Sequence, residues 1–200
     1  MTIVLLVEGS TEKTLTDKLK EYLDQQAELA GRPRVALRAG KIKSTEPHAL
    51  GQQIKLQLQT QHTAAVIGLI DVFPHFSDAQ AARTFLRQAA ERAGVTQHFY
   101  PHAAQYDVEA WLLPYWDDIC RRIAVRQGAP GGNPEMVDSI RPPSYRLKEL
   151  YQRAGRKYVK TLEMPAILKG KDLSVAAHAC FELKSLLNTL LQLCNLPLSP

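Results

Sequence analysis

Residues 2–12 read TIVLLVEGSTE, and the first six of them decide the fold class. Thr2–Val7 is an unbroken apolar run of strand length. A half-exposed strand alternates apolar and polar residues, so an unbroken run belongs to a strand covered on both faces, as in a parallel sheet. Glu8 and Gly9 end the run, and glycine lets the backbone turn tightly there. No basic stretch precedes the run and an acid follows it at once, so it reads as a buried strand and not as a signal peptide.

Outward from this strand the chain alternates between two periods. Ser10–Leu29 puts Leu15, Leu19, Tyr22 and Leu23 on one helical face, with Ser10 or Thr11 as its cap and Gly31 and Pro33 breaking it. Further strands are expected at Arg34–Arg38, Ala64–Ile70 and Gln97–Tyr100, and helices at Pro47–Gln59 and Ser77–Ala93. This order implies an α/β fold, a mainly parallel four-stranded sheet joined by right-handed crossovers and flanked by helices. From Asp107 the strands stop. Asp107–Arg126 reads as a helix interrupted by Pro114, residues 127–134 as a loop, Pro142–Ser144 as the start of a helix carrying Leu147, Leu150 and Tyr151, and Leu173–Leu193 as a leucine-rich helix. The expected organisation is an α/β core over 1–105 and a helical extension over 106–200 packed on it as one globular unit.

Composition narrows the function classes. The chain has 200 residues, 45% of them hydrophobic and 22% charged, which is ordinary globular usage and excludes wholesale disorder. No run of 18 apolar residues occurs, so no membrane partner is expected. Cys120, Cys180 and Cys194 are scattered, odd in number and without a C-x-x-C pair. They read as small apolar filling in a reducing cytoplasm rather than as a zinc or redox site. Residues 1–140 carry 15 Lys/Arg and 16 Asp/Glu, a net of −1, and residues 141–200 carry 10 and 4, a net of +6. A basic segment at 141–171 on a near-neutral body suits a polyanion, and a solvated helix face is the plainer alternative.

In an open parallel sheet, functional groups gather at the carboxyl ends of the strands. Those ends carry acids here: Glu8 after the first strand, Asp71 after the third, and Glu109 a short loop after the fourth. Converging carboxylates repel, and a hydrated divalent cation neutralises them; oxygen-only ligands favour Mg²⁺ or Mn²⁺. Glu8 as a helix cap and Asp71 as the start of a turn with Pro74 are the structural alternatives. His98 reads as a strand residue, His102 as a candidate acid or base, and Trp111 as core. GSTEKT lacks the Gly-Lys-Ser/Thr ending of a phosphate-binding loop, which excludes that type of nucleotide site.

VEGSTEKTLTDKL at 7–19 resembles the first motif of Toprim domains, an apolar strand ending in Glu-Gly with another acid four residues after the Glu. LIDVF at 69–73 sits where the Toprim Asp-x-Asp motif belongs. QYDVEAWLL at 105–113, PPSYRLKELY at 142–151, the Lys-rich stretch and the C-terminal helix resemble a bacterial Toprim-like family of unknown function. That family is often encoded beside an ABC-type ATPase, in the manner of antiphage systems, and overcoming-lysogenisation-defect-like nucleases are its distant relatives. The resemblance implies a Toprim fold and phosphodiester chemistry on DNA or RNA. It matches Glu8 to the motif glutamate, Asp71 to the first aspartate of the second motif, Glu109 to the acid of the family's Glu-Ala segment and Arg146 to the arginine after Pro-Ser.

The chain departs from the pattern at Phe73, which stands in place of the second aspartate and cannot bind a metal. Compensation falls to Glu109, Asp107 or His75, with Glu12 orienting the shell. Arg146, Arg153, Arg156 and Lys157 are positioned to track a nucleic-acid backbone, with Tyr145, Tyr151 and Tyr158 interleaved. Two readings follow. One is a Mg²⁺- or Mn²⁺-dependent nuclease, the effector of an ATPase-linked defence system. The other is a degenerate Toprim adaptor on an ABC-type ATPase without catalysis of its own.

Overall fold

The apolar run at Thr2–Val7 forms β1, the inner strand that organises the sheet. A computed structural model describes residues 1–9, 12–136 and 141–198, with the side chains of residues 12 and 13 excepted. The proposed caps Ser10 and Thr11 lie outside the described residues, as does the Glu12 side chain. After β1 come α1 (Glu12–Leu29), β2 (Ala36–Lys41), α2 (Pro47–Gln59), β3 (Thr63–Asp71), α3 (Ala79–Arg92) and β4 (Phe99–Ala104). A 3₁₀ segment (Val108–Tyr115) follows, then α4 (Trp116–Ile123), α5 (Pro143–Arg153), α6 (Lys160–Leu168), α7 (Leu173–Ala179) and α8 (Phe181–Leu193).

The sheet has four strands in the order β2-β1-β3-β4, and every pair is parallel. All four carboxyl ends therefore open on one edge. Both faces of β1 are covered, as its sequence requires. Ile3, Leu5 and Val7 pack with α1 and the C-terminal helices, whereas Val4 and Leu6 pack with α2 and α3. The α2–α3 contact is close because Gly51 has no side chain: a Cβ there would lie 2.1 Å from the Ala89 carbonyl oxygen.

Several elements differ from the sequence reading, each for a local reason. β2 lies two residues later than Arg34–Arg38 at its start, because its register follows β1, with Thr2 opposite Ala36. β4 begins at Phe99, leaving His98 before the strand with a positive φ of 61°, and it runs past the expected end at Tyr100 to Ala104, through Pro101. β4 is an edge strand, where a missing N–H leaves no ladder bond unmade. Asp78, not Ser77, caps α3 by accepting the Ala81 N–H at 2.7 Å. The expected helix from Asp107 begins as 3₁₀, with Pro114 inside it. The leucine-rich helix is two helices separated at Cys180, and α6 was not expected at all. The three cysteines are buried, and Trp111 lies in the core with its Nε1–H donated to Glu135 Oε1 at 3.0 Å.

His102 faces away from the sheet's carboxyl edge. It is buried between β4 and α8, with Nε2 3.0 Å from the Thr189 hydroxyl. Burial, helped by nearby Arg83, pushes its pKa down to about 4. An unfolded histidine titrates near 6.5, so between these values the unfolded chain takes up a proton that the native chain refuses. Stability is expected to fall as pH drops through that window, by at most about 3.5 kcal/mol at roughly 1.4 kcal/mol per pH unit. Thermal melts across the window check this: His102→Gln should flatten the slope relative to the parent chain.

Candidate active site at the carboxyl edge of the sheet

Asp71 is the last residue of β3 and pairs with Ala104 of β4. The backbone beyond it stays tied to the neighbouring strand, with Val72 N–H donating to Ala104 O and Phe73 N–H to Tyr106 O at 2.7 Å. Asp71 Oδ1 accepts the Val108 N–H at 3.1 Å, so this carboxylate satisfies a free donor at the start of the 3₁₀ segment. Asp107, just before that segment, reaches the other way. Its Oδ2 accepts the Ser144 N–H at 3.2 Å, at the start of α5, where the helix dipole favours negative charge. The two aspartates thus hold the 3₁₀ segment and α5 against the sheet edge.

The 3₁₀ segment delivers Glu109, which is only 2% exposed. Facing it is Lys160, the first residue of α6, whose Nζ lies 3.0 Å from Glu109 Oε2 and 3.7 Å from Asp71 Oδ2. The contact with Glu109 is a short ion pair, and Oε2 meets no other donor. Asp107 Oδ1 and the Tyr158 hydroxyl are buried without a hydrogen-bond partner. Burial pushes the Glu109 carboxyl up; Lys160 opposes the shift and Asp107 adds to it. Burial also raises Asp107, against the pull of Ser144. Tyr158 is held in its neutral form, first by burial and then by the charge of Glu109.

These groups line one cleft of about 400 Å³, bounded by Asp71, Asp107, Glu109, Tyr158 and Lys160, with Phe73, Tyr145 and Lys148 among its other walls. The structure brings Asp71, Asp107 and Glu109 together. Glu8 stands at the same edge, half-buried and one residue past Val7, which pairs with Leu69 of β3. It does not line the cleft. Among the described residues, no three His, Cys, Asp or Glu side chains are grouped as a metal site. His75 is exposed on the turn after β3, outside the cleft walls. Arg153, Arg156 and Lys157 are exposed, whereas Arg146 is half-buried with its Nε unpartnered. Tyr151 and Tyr158 are interior, in edge-to-face contact at 5.2 Å, which leaves Tyr145 as the exposed tyrosine of the three.

A model of the family described as a domain of unknown function (DUF4276) matches residues 7–191. The chain belongs to that family. Among solved structures, it is similar to the C-terminal region of the Burkholderia pseudomallei OLD protein. The identity is 18% and the TM-score 0.53, over 96% of this chain and 98% of that one. At this identity the likeness is one of fold, and it agrees with the Toprim-like parallel sheet. No match was found among curated proteins.

Lys160 is the site residue that sequence reasoning missed. It was counted with the basic segment, and nothing in its spacing marks it, because its partners lie in β3 and the 3₁₀ segment. Removing it leaves a buried carboxylate without a counter-charge, which typically costs about 3–5 kcal/mol. Lys160→Met is expected to destabilise the fold on that scale at alkaline pH. The deficit should shrink as the pH falls, because the raised Glu109 carboxyl then takes a proton and no longer needs a cation. Denaturant unfolding of Lys160→Met at alkaline and acidic pH checks the sign, and adding Glu109→Gln should recover part of the loss.

Proposed function

We propose that the chain is a metal-dependent nuclease that hydrolyses nucleic-acid phosphodiesters at this cleft, and that it is the effector of an ATPase-linked defence system. The observation that carries the reading is the convergence of Asp71, Asp107 and Glu109, with one lysine, at the carboxyl edge of a Toprim-like sheet. Open parallel sheets hold their ligands at that edge. The acceptors are all oxygen. Asp107 Oδ1 has no hydrogen-bond partner, and Glu109 Oε2 meets the Lys160 ammonium at 3.0 Å, a partner that a hard cation would displace. Asp71, Asp107 and Glu109 would hold Mg²⁺ or Mn²⁺ in the cleft, Asp107 being the acid at hand where Phe73 supplies none, and Glu8 stands at the same edge outside its walls. When bound, the ion polarises the phosphoryl oxygen and makes bound water more acidic.

The chain's own residues supply the rest. Lys160 offsets carboxylate repulsion and offers an ammonium to the charge that develops on the phosphate. Lys148 at the cleft wall draws in the backbone, and Arg146, Arg153, Arg156 and Lys157 track it further along, fixing position without reading sequence. The similar solved structure is a C-terminal region, part of a longer chain. In this reading a separate ABC-type ATPase subunit stands beside the present chain.

Two observations favour the adaptor reading. A lysine already pairs with Asp71 and Glu109, and Phe73 replaces an acid. A cleavage assay on single- and double-stranded DNA and RNA separates the readings, with Mg²⁺ and then Mn²⁺, on the chain alone and with its neighbouring ATPase. The nuclease reading expects cleavage, stronger with Mn²⁺. Asp71→Asn or Glu109→Gln should lose roughly 100-fold or more, the scale of one electrostatic contact to a transition state. No cleavage under any condition, with the ATPase still bound, would establish the adaptor.

A further inference from the structure

One wall of the cleft is made of aromatic rings that the acid chemistry does not use. Phe73 is 39% exposed and Tyr145 49% exposed, and both line the cleft with Asp71, Glu109 and Lys160. Their centroids are 6.4 Å apart and the planes stand at 83°, an edge-to-face pair. Lys148 Nζ lies 4.7 Å from the Tyr145 ring centroid. The backbone that carries each ring is tied by a hydrogen bond. Phe73 N–H donates to Tyr106 O at 2.7 Å, and Tyr145 N–H donates to Pro142 O at 2.8 Å in the first turn of α5. Half-exposed rings beside a polar cleft of about 400 Å³ offer an apolar face that the fold itself leaves uncovered.

We propose that Phe73 and Tyr145 form a base-stacking platform at the mouth of the cleft, so that its ligand is single-stranded nucleic acid with an unpaired base beside the phosphate. The substrate class rests on the nuclease reading; the binding does not. Bases in a duplex are already stacked and paired, and reaching an aromatic wall would require flipping one out. A single strand presents its bases freely, and stacking one on an aromatic ring is worth about 1–3 kcal/mol with little preference among bases. Tyr145, perpendicular to Phe73, fixes the platform's orientation. Lys148, held over Tyr145, meets the adjoining phosphate. The ring at 73 thus has a use of its own where the Toprim pattern has an acid.

The test is equilibrium binding without divalent metal, so that cleavage does not enter. A short fluorescent oligothymidylate, its duplex with oligoadenylate, and the same strand made abasic are titrated against the parent chain, Phe73→Ala, Tyr145→Ala, Lys148→Ala and Phe73→Trp. The parent should prefer the base-bearing single strand. Phe73→Ala should weaken that complex by about 5- to 150-fold, the equivalent of one stacked base. It should leave the abasic strand and the duplex unchanged, and Phe73→Trp should restore affinity. Lys148→Ala should weaken all three ligands alike and lower the salt slope.

Thermal melts establish that the variants fold. Equal losses on all three ligands in Phe73→Ala, no loss in that variant, or a parent chain that prefers duplex would each overturn the platform. Base-dependent binding without cleavage would leave the platform standing and remove the nuclease. Cleavage that is indifferent to Phe73 would do the reverse.

Discussion

A carboxylate shielded from water needs a positive partner, and the Glu109–Lys160 pair is the contact on which the arrangement of the edge depends. Taking either charge out of water alone is unfavourable by several kcal/mol, so the two elements that carry them must dock together. Glu109 arrives from the 3₁₀ segment after β4 and Lys160 from the start of α6, so the pair holds two elements of the extension together at the sheet edge. Asp71 joins through the same ammonium, and Asp107 links the 3₁₀ segment to α5. A cluster of acids is thus held in place by the fold while Asp107 Oδ1 remains without a hydrogen-bond partner.

The uneven charge of the chain acquires a structural meaning from this pair. Lys160 and Lys171 of the basic segment fold back on acids of the near-neutral body, and two further pairs run the other way, from arginines of the body to acids beyond residue 140. Besides Lys160, Lys171 pairs with Asp118, and Arg122 of α4 reaches Glu163 of α6 at 3.3 Å. Arg83 of α3 pairs with Glu182 of α8, fixing the last helix against the opposite layer. Part of the positive excess is therefore consumed internally. The remainder, including Lys148, Arg153, Arg156 and Lys157, stays on the surface.

The fold was legible in β1 and β3 because burial on both faces writes itself as an unbroken apolar run. The flanking helices were legible from their periodicity, but which of them covers which face was not. β4 extends beyond the expected Gln97–Tyr100 because an edge strand tolerates Pro101, and nothing local told that this strand is an edge. The division at Cys180 and the existence of α6 were not legible either. α6 carries Pro165 and a short, mixed stretch of residues whose helical state is set by packing on α1 and the 3₁₀ segment. At the site, Asp71 and Glu109 were readable from the rule about strand ends. Lys160 was not, because its role comes from a contact across more than fifty positions of chain. Tyr145 and Tyr151 sit in one helix with similar surroundings in sequence, and only the tertiary packing separates the exposed ring from the interior one.

The central claim is that the carboxylates at this edge form a cation site that Lys160 occupies only in part. Calorimetric titration of Mn²⁺ and Mg²⁺ into the intact chain, and into Asp71→Asn and Glu109→Gln, tests it most directly. The account predicts weak binding, tighter for Mn²⁺ than for Mg²⁺, because Mg²⁺ demands near-octahedral oxygen geometry from a site short of one acid. It predicts that either substitution abolishes the heat of binding. Tight Mg²⁺ binding, no binding of either ion, or binding that survives both substitutions would contradict it.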